Sequence, residues 1–238
     1  MFLFSVKRFN DSLRLLYLRG KLTIMRTTIY FTLLLFLFGC VDRESSRLPF
    51  KEGDILFQDL DCGALCDAIE KVTEGVDGRD FSHCGVVVKE GEDSLVVIEA
   101  IGSAVVITPL EEFLQRSGDK DSLTNILIGR PRLNVDVISA ITFLRAKVGQ
   151  PYDDAFLPNN DKYYCSELIA DAYRDKNGDR IFIDAPMTFK DPETGSFFPA
   201  WEEYYLELGV PIPEGVLGIN PGLISRSSSL SILKGNNF

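Results

Sequence analysis

Three apolar stretches within about two dozen residues constrain this chain more than anything else in it. Residues 84–88, 94–100 and 104–107 are runs of Val, Ile and other apolar side chains, separated by turn-forming clusters at residues 90–93 and Gly102-Ser103. Short β-branched runs read as strands, and connections this brief join neighbours running in opposite directions. The spacing predicts an antiparallel meander. Gly53-Asp54 followed by Ile55, Leu56 and Phe57 predicts a turn into a further buried strand, and residues 125–129 predict another.

Elsewhere the period is helical. Residues 62–72 carry Leu65, Ile69 and Val72 on one face, and residues 110–116 follow Pro109, which a first helical turn tolerates. Asn134 is placed to cap a helix bearing Val137, Ile141, Leu144 and Val148, which Gly149 ends. After a polar loop at 150–162, residues 164–174 form a second strong helix with Leu168, Ile169, Ala172 and Tyr173 recurring. Beyond Phe182 the chain is loop-rich, with a short helix at 201–208 and a last strand near Leu223. Helices grouped around an antiparallel sheet make the class α+β. Residues 51–238 read as one domain, because a chain of 238 residues that is 45% hydrophobic supports one core of ordinary density.

Charge separates the N-terminus from this body. Residues 1–39 hold Lys7, Arg8, Arg14, Arg19, Lys21 and Arg26 against the single acid Asp11, whereas the whole chain carries −10. From Met25, an alternative start to Met1, a basic residue (Arg26) precedes an apolar run that ends at Gly39-Cys40. That run is too short to cross a bilayer of about 30 Å and has the length of a signal-peptide core. The small residue before Cys40 resembles a bacterial lipobox, which implies an acylated Cys40, a tether over residues 41–50 and a membrane-anchored domain in the cell envelope, outside the cytoplasm. The acidic balance argues against a nucleic-acid binder. Cys62 and Cys66, four apart on an expected helical turn where bridge geometry is poor, read as small buried residues.

The chain has one histidine, His83, so mechanisms needing two imidazoles and His-rich zinc sites are excluded. No metal site, Gly-rich phosphate loop or dinucleotide fingerprint is visible, and no cofactor is expected. His83 stands at a strand start, where a sheet edge positions it. Cys165 falls at the start of a helix, where unpaired N–H groups and the dipole lower a thiol's pKa. Glu99 lies inside an apolar strand run and needs a partner, since an unpaired buried acid costs several kcal/mol. Alternation puts Val97 and Glu99 on one face and Ile98 on the other. With the two strands adjacent, Glu99 is placed to orient His83 as the third member of a Cys–His–acid set.

Taken together, Gly53-Asp54-Ile55-Leu56-Phe57, Ser82-His83-Cys84-Gly85, Ile98-Glu99-Ala100, Gly149-Gln150-Pro151-Tyr152-Asp153 and Tyr163-Tyr164-Cys165-Ser166-Glu167-Leu168 resemble the YiiX-like branch of the NlpC superfamily. The resemblance implies a circularly permuted papain-like (NlpC-type) fold, an antiparallel sheet packed on the cysteine helix. It also implies Cys165 as nucleophile, His83 as base and Glu99 as orienter. Cys84, where a small apolar residue is expected, should leave the chemistry untouched. The Cys165 backbone N–H and the hydroxyl of Tyr152 or Tyr164 are candidate oxyanion donors. Asp54 either fixes a loop beside the site or closes a turn, and Ser166 is a less reactive alternative nucleophile.

The expected activity is a cell-envelope thiol amidase acting on peptidoglycan stem peptides or related isopeptides, with a peptide or muropeptide as partner. A lipid acyl hydrolase or acyltransferase of the lecithin–retinol acyltransferase type is the alternative, as is a non-catalytic binding lipoprotein. An apolar groove beside Cys165 favours the lipid-directed alternative; a polar, acid-lined cleft favours amine-bearing peptides.

Overall fold

The computed structural model describes residues 50–60, 62–91, 94–117 and 126–233. The expected signal segment, Cys40 and the tether up to residue 49 lie outside the described residues. Phe50, the expected end of the tether, is buried in the core.

The meander is present. Strands β2 (His83–Glu90), β3 (Ser94–Ile101) and β4 (Ala104–Pro109) pair antiparallel in sequence order, with Val86 opposite Ile98 and Ile98 opposite Ile107. Gly102 makes the tight β3–β4 turn at φ 62°, a left-handed conformation that glycine adopts without steric cost. Strand β1 (Ile55–Gln58) lies between β2 and β5 (Ile126–Pro131), antiparallel to both, so Ile55, Leu56 and Phe57 are all fully buried. Two further strands, β6 (Ala185–Pro186) and β7 (Leu217–Gly218), form a separate two-residue ribbon. Strand β8 (Leu230–Leu233) closes the main sheet in the order β4-β3-β2-β1-β5-β8.

Alternation sorts the side chains into two cores. Ile55, Phe57, Cys84, Val86, Val88, Ile98 and Ala100 face helices α3 (Val137–Lys147) and α4 (Cys165–Ala172). Leu56, Val87, Val97, Ile126 and Ile128 face Phe50 and helix α2 (Leu110–Gln115), which supplies Phe113 and Leu114. A third, aromatic cluster joins α1 (Ala64–Val72) to α5 (Pro199–Leu208) through Ala68, Phe189, Trp201 and Tyr205.

Three local expectations are corrected. The cap of α3 is Asp136, not Asn134: its carboxylate accepts from the Ser139 N–H at 3.1 Å and the Ser139 hydroxyl at 2.8 Å. Around Leu223 there is no strand but helix α6 (Pro221–Ser225), begun by an Asn220 cap and a proline at its first position, a start signal that outweighs the apolar run. Cys62 and Cys66 form a disulfide with Cα atoms 5.3 Å apart. The two do not share a helical turn. Helix α1 starts only at Ala64, and Gly63, at φ 80°, turns the chain so that Cys62 folds back onto Cys66.

Candidate active site

Three segments far apart in sequence bring Cys165, His83 and Glu99 together. Cys165 is the first residue of α4, preceded by an extended Tyr164 whose side chain makes no cap, so the helix N-terminus is aimed past the sulfur. His83 begins β2 with its ring 5.9 Å from that of Phe113, and Glu99 sits on β3 on the same face. All three are buried. His83 Nε2 lies 2.6 Å from Glu99 Oε2, which leaves Nδ1 for the sulfur.

Gly85 makes the room. A Cβ there would stand 2.5 Å from a Val97 methyl and 3.2 Å from the Glu99 Cβ. The other Glu99 oxygen accepts from Thr108 on β4 and from Arg116, the residue following α2. Neither was marked by the sequence. Thr108 enters only through register, since it faces Val97 across the β3–β4 pair, and Arg116 only through the path of α2.

Charge follows from these contacts. Burial opposes ionisation of Glu99, but hydrogen bonds and charge from His83, Arg116 and Thr108 outweigh it and hold the carboxyl below its ordinary range. Burial likewise disfavours a charged His83, yet hydrogen bonding to Cys165 and Glu99 raises it to about 9. The Cys165 thiol is drawn well below its ordinary value by the Cys84 thiol, against burial, and by the hydrogen bond and charge of His83. These shifts favour a thiolate–imidazolium pair backed by a carboxylate.

The other sequence candidates separate. Tyr152 lines the same pocket as Cys165, and burial, together with the cysteine's charge, keeps its phenol protonated. The Tyr164 hydroxyl is engaged, accepting from the Ile219 N–H at 3.1 Å, and the Ser166 hydroxyl donates to the Ile219 carbonyl at 2.9 Å. Asp54 closes a turn: it accepts from the Lys51 N–H and holds Arg130 bidentately at 2.8 and 2.7 Å, and it is absent from the pocket. Asp153 has a use the sequence did not reveal. Its buried carboxylate accepts from the Ala155 and Leu157 N–H groups and straddles Phe156, held at φ 55°, a strained conformation for an aromatic residue. That turn presents the Phe156 ring to Tyr164 and Trp201, in edge contact with both.

Beside Cys165 is a cavity of about 130 Å³ walled largely by Ile69, Val72, Phe156, Met187, Phe189 and Trp201, with Thr73, Ser82, Thr188 and Asn220 also in its lining and no Asp, Glu, Lys, Arg or His. Among the described residues no group of three or more His, Cys, Asp or Glu side chains is arranged to hold a metal ion.

Residues 49–233 match the family described as permuted papain-like amidase enzyme, YaeF/YiiX, C92 family. An uncharacterized protein YiiX of Escherichia coli (strain K12) is 30% identical over 129 residues, 54% of this chain. The match spans 60% of that relative's length. A crystal structure described as metalloprotein YiiX from Escherichia coli O157:H7 superposes with a TM-score of 0.61 at 21% identity, covering 77% of this chain and 96% of the other. At that identity the likeness is one of fold.

Proposed function

The chain belongs to the permuted papain-like amidase family, and from that premise we propose that it hydrolyses amide bonds through a Cys165 thiolate. The observation that carries the reading is the buried row of sulfur, imidazole and carboxylate, with His83 and Glu99 2.6 Å apart. The thiolate attacks the acyl carbon. The His83 imidazolium gives its proton to the leaving amine, and the neutral ring then takes one from the water that releases the acyl-enzyme. Glu99 keeps the ring oriented and stabilises its cation. The Cys165 backbone N–H, free at the helix start, and the Tyr152 hydroxyl are the groups available to a developing oxyanion.

The pocket bears on the substrate. An apolar cavity of about 150 Å³ accepts a benzene-sized group, so one of about 130 Å³ suits an apolar side chain or a short length of acyl chain. No Lys, Arg or His lines it to pair with a charged stem-peptide carboxylate. The substrate group seated beside Cys165 is therefore largely apolar. This favours an acyl amide, or the lipid-directed acyl chemistry that is the second reading, over the peptidoglycan stem peptides expected from the sequence. The proposed location, a lipid anchor at Cys40 outside the cytoplasm, is supported by the sequence pattern and suits the Cys62–Cys66 disulfide, a bond that persists in oxidising compartments.

The test is mass spectrometry of N-acyl amides, lipid esters and muropeptides incubated with wild type and with Cys165→Ala. The expected result is cleavage of acyl amides by wild type and a loss on the order of 10⁵-fold in the variant. Full turnover by Cys165→Ala would overturn the mechanism, and cleavage confined to muropeptides would overturn the substrate class.

A further inference from the structure

Tyr164, Gly218 and Ile219 line two cavities: the largely apolar one beside Cys165 and a second, of about 210 Å³, whose lining is of the opposite kind. Asp161, Glu167, Asp171 and Asp184 line the second, against Lys162 and Arg180. Arg180 is already committed, with its guanidinium 3.0 and 3.2 Å from the two Asp184 oxygens and 3.3 Å from Asp171. Lys162 is exposed to water. Glu167 differs from the other acids. It is only 9% exposed, and its Oε2 is buried with no hydrogen-bond partner among the described residues. A carboxylate oxygen in that state is costly, and a folded protein leaves few of them. Burial and the charges of Asp153, Asp171 and Asp184 raise the Glu167 carboxyl to about 8, the mark of an acid that lacks a countercharge.

We propose that this second cavity binds an organic ammonium group, which donates to Glu167 Oε2 and is held by the field of Asp171 and Asp184. An alkylammonium has three donors and no acceptor, and ionised carboxylates only accept, so the two match without leaving a group unpaired. The space is larger than a benzene-sized cavity of about 150 Å³ and takes a short aminoalkyl chain. A metal ion fits less well, because among the described residues no three His, Cys, Asp or Glu side chains are arranged to hold one. The ammonium is borne either by the amide substrate, whose apolar part lies across the Tyr164–Ile219 wall, or by a separate amine. Its assignment to the substrate rests on the reading of Cys165 as nucleophile.

The test is calorimetric titration of the Cys165→Ala protein with pentylammonium at about pH 9, where Glu167 is ionised and an alkylamine, like a lysine side chain, is still charged. Saturable binding is expected, with pentanol at least about tenfold weaker. Glu167→Gln on the same background should raise Kd about tenfold or more, and Asp184→Asn should raise it by a smaller factor. Equal affinity for amine and alcohol, or binding unmoved by Glu167→Gln, would overturn the proposal. So would Ca²⁺ binding that needs Glu167 in a protein indifferent to the amine. Turnover by the Cys165 enzyme then names the carrier, with N-decanoylcadaverine compared against N-decanoylpentylamine. A KM about tenfold lower for the amine-bearing amide, an advantage lost in Glu167→Gln, puts the ammonium on the substrate. Equal KM values, with pentylammonium binding intact, assign the site to a separate amine. The titration needs no turnover, so its failure removes this inference alone, whereas a wild type that binds the amine and cleaves no acyl amide removes the catalytic reading alone.

Discussion

Glu99 and Glu167 are both buried carboxylates near the same cysteine, and the structure drives them in opposite directions. Glu99 meets an imidazole, a guanidinium and a hydroxyl, which overcome desolvation and keep it charged. Glu167, in the first turn of α4, is raised to about 8 by burial and by the charges of Asp153, Asp171 and Asp184, and one of its oxygens has no hydrogen-bond partner. Burial opposes the charge on each. The partners decide the outcome, and only the acid that has them is able to support an imidazolium.

The largest effect should come from taking Glu99 out of this contrast. Glu99→Ala leaves the Arg116 guanidinium and His83 without their carboxylate, and breaking such a buried pair costs about 3–5 kcal/mol, nearer the lower figure because Arg116 is a quarter exposed. Urea unfolding measures it, and a cost near zero would mean the pair contributes nothing. Glu99→Gln should be milder and should retain more activity than His83→Ala, because the amide still orients the ring.

A smaller change would make the Glu99 site resemble that of Glu167. Arg116→Met removes one charged hydrogen bond, worth about 1.5–3 kcal/mol before solvent screening. Glu99 is depressed in the fold, so its contribution is present above the unfolded carboxyl value and lost as pH falls through the folded one. Without Arg116 that contribution should be smaller and its loss complete at higher pH. Melting curves from about pH 3 to 7 test this, and an unmoved acid limb would assign the depression to His83 and Thr108 alone.

The smallest effect has the opposite sign. Glu167 is raised, so between the ordinary carboxyl value of 4.5 and about 8 the folded state holds more protons than the unfolded one, and stability falls as pH rises. Glu167→Gln removes that penalty. The variant should match wild type below pH 4.5 and gain stability up to about pH 8, reaching a few degrees in Tm. A difference independent of pH would show that charge plays no part.

How much of this was legible in the chain varies with the range of the contact. The meander was readable because strand and turn signals act between neighbours, and Cys165, His83 and Glu99 stood out by local context. Thr108 and Arg116 were not readable: a threonine ending a strand and an arginine ending a short helix are ordinary until register and the path of α2 carry them to one carboxylate. The Cys62–Cys66 bond was misread because the start of α1 depends on the turn at Gly63. The cap at Asp136 and the helix at Pro221 were local signals overlooked in favour of a neighbouring residue or an apolar run.

The sequence alone determined the class of fold, the three candidate site residues and the order in which they occur, because each is encoded in a short stretch whose physics is local. Tertiary structure decided which partners surround each of them and the largely apolar wall beside Cys165. Those depend on what surrounds a side chain once water has left, and its surroundings come from segments that no local pattern connects.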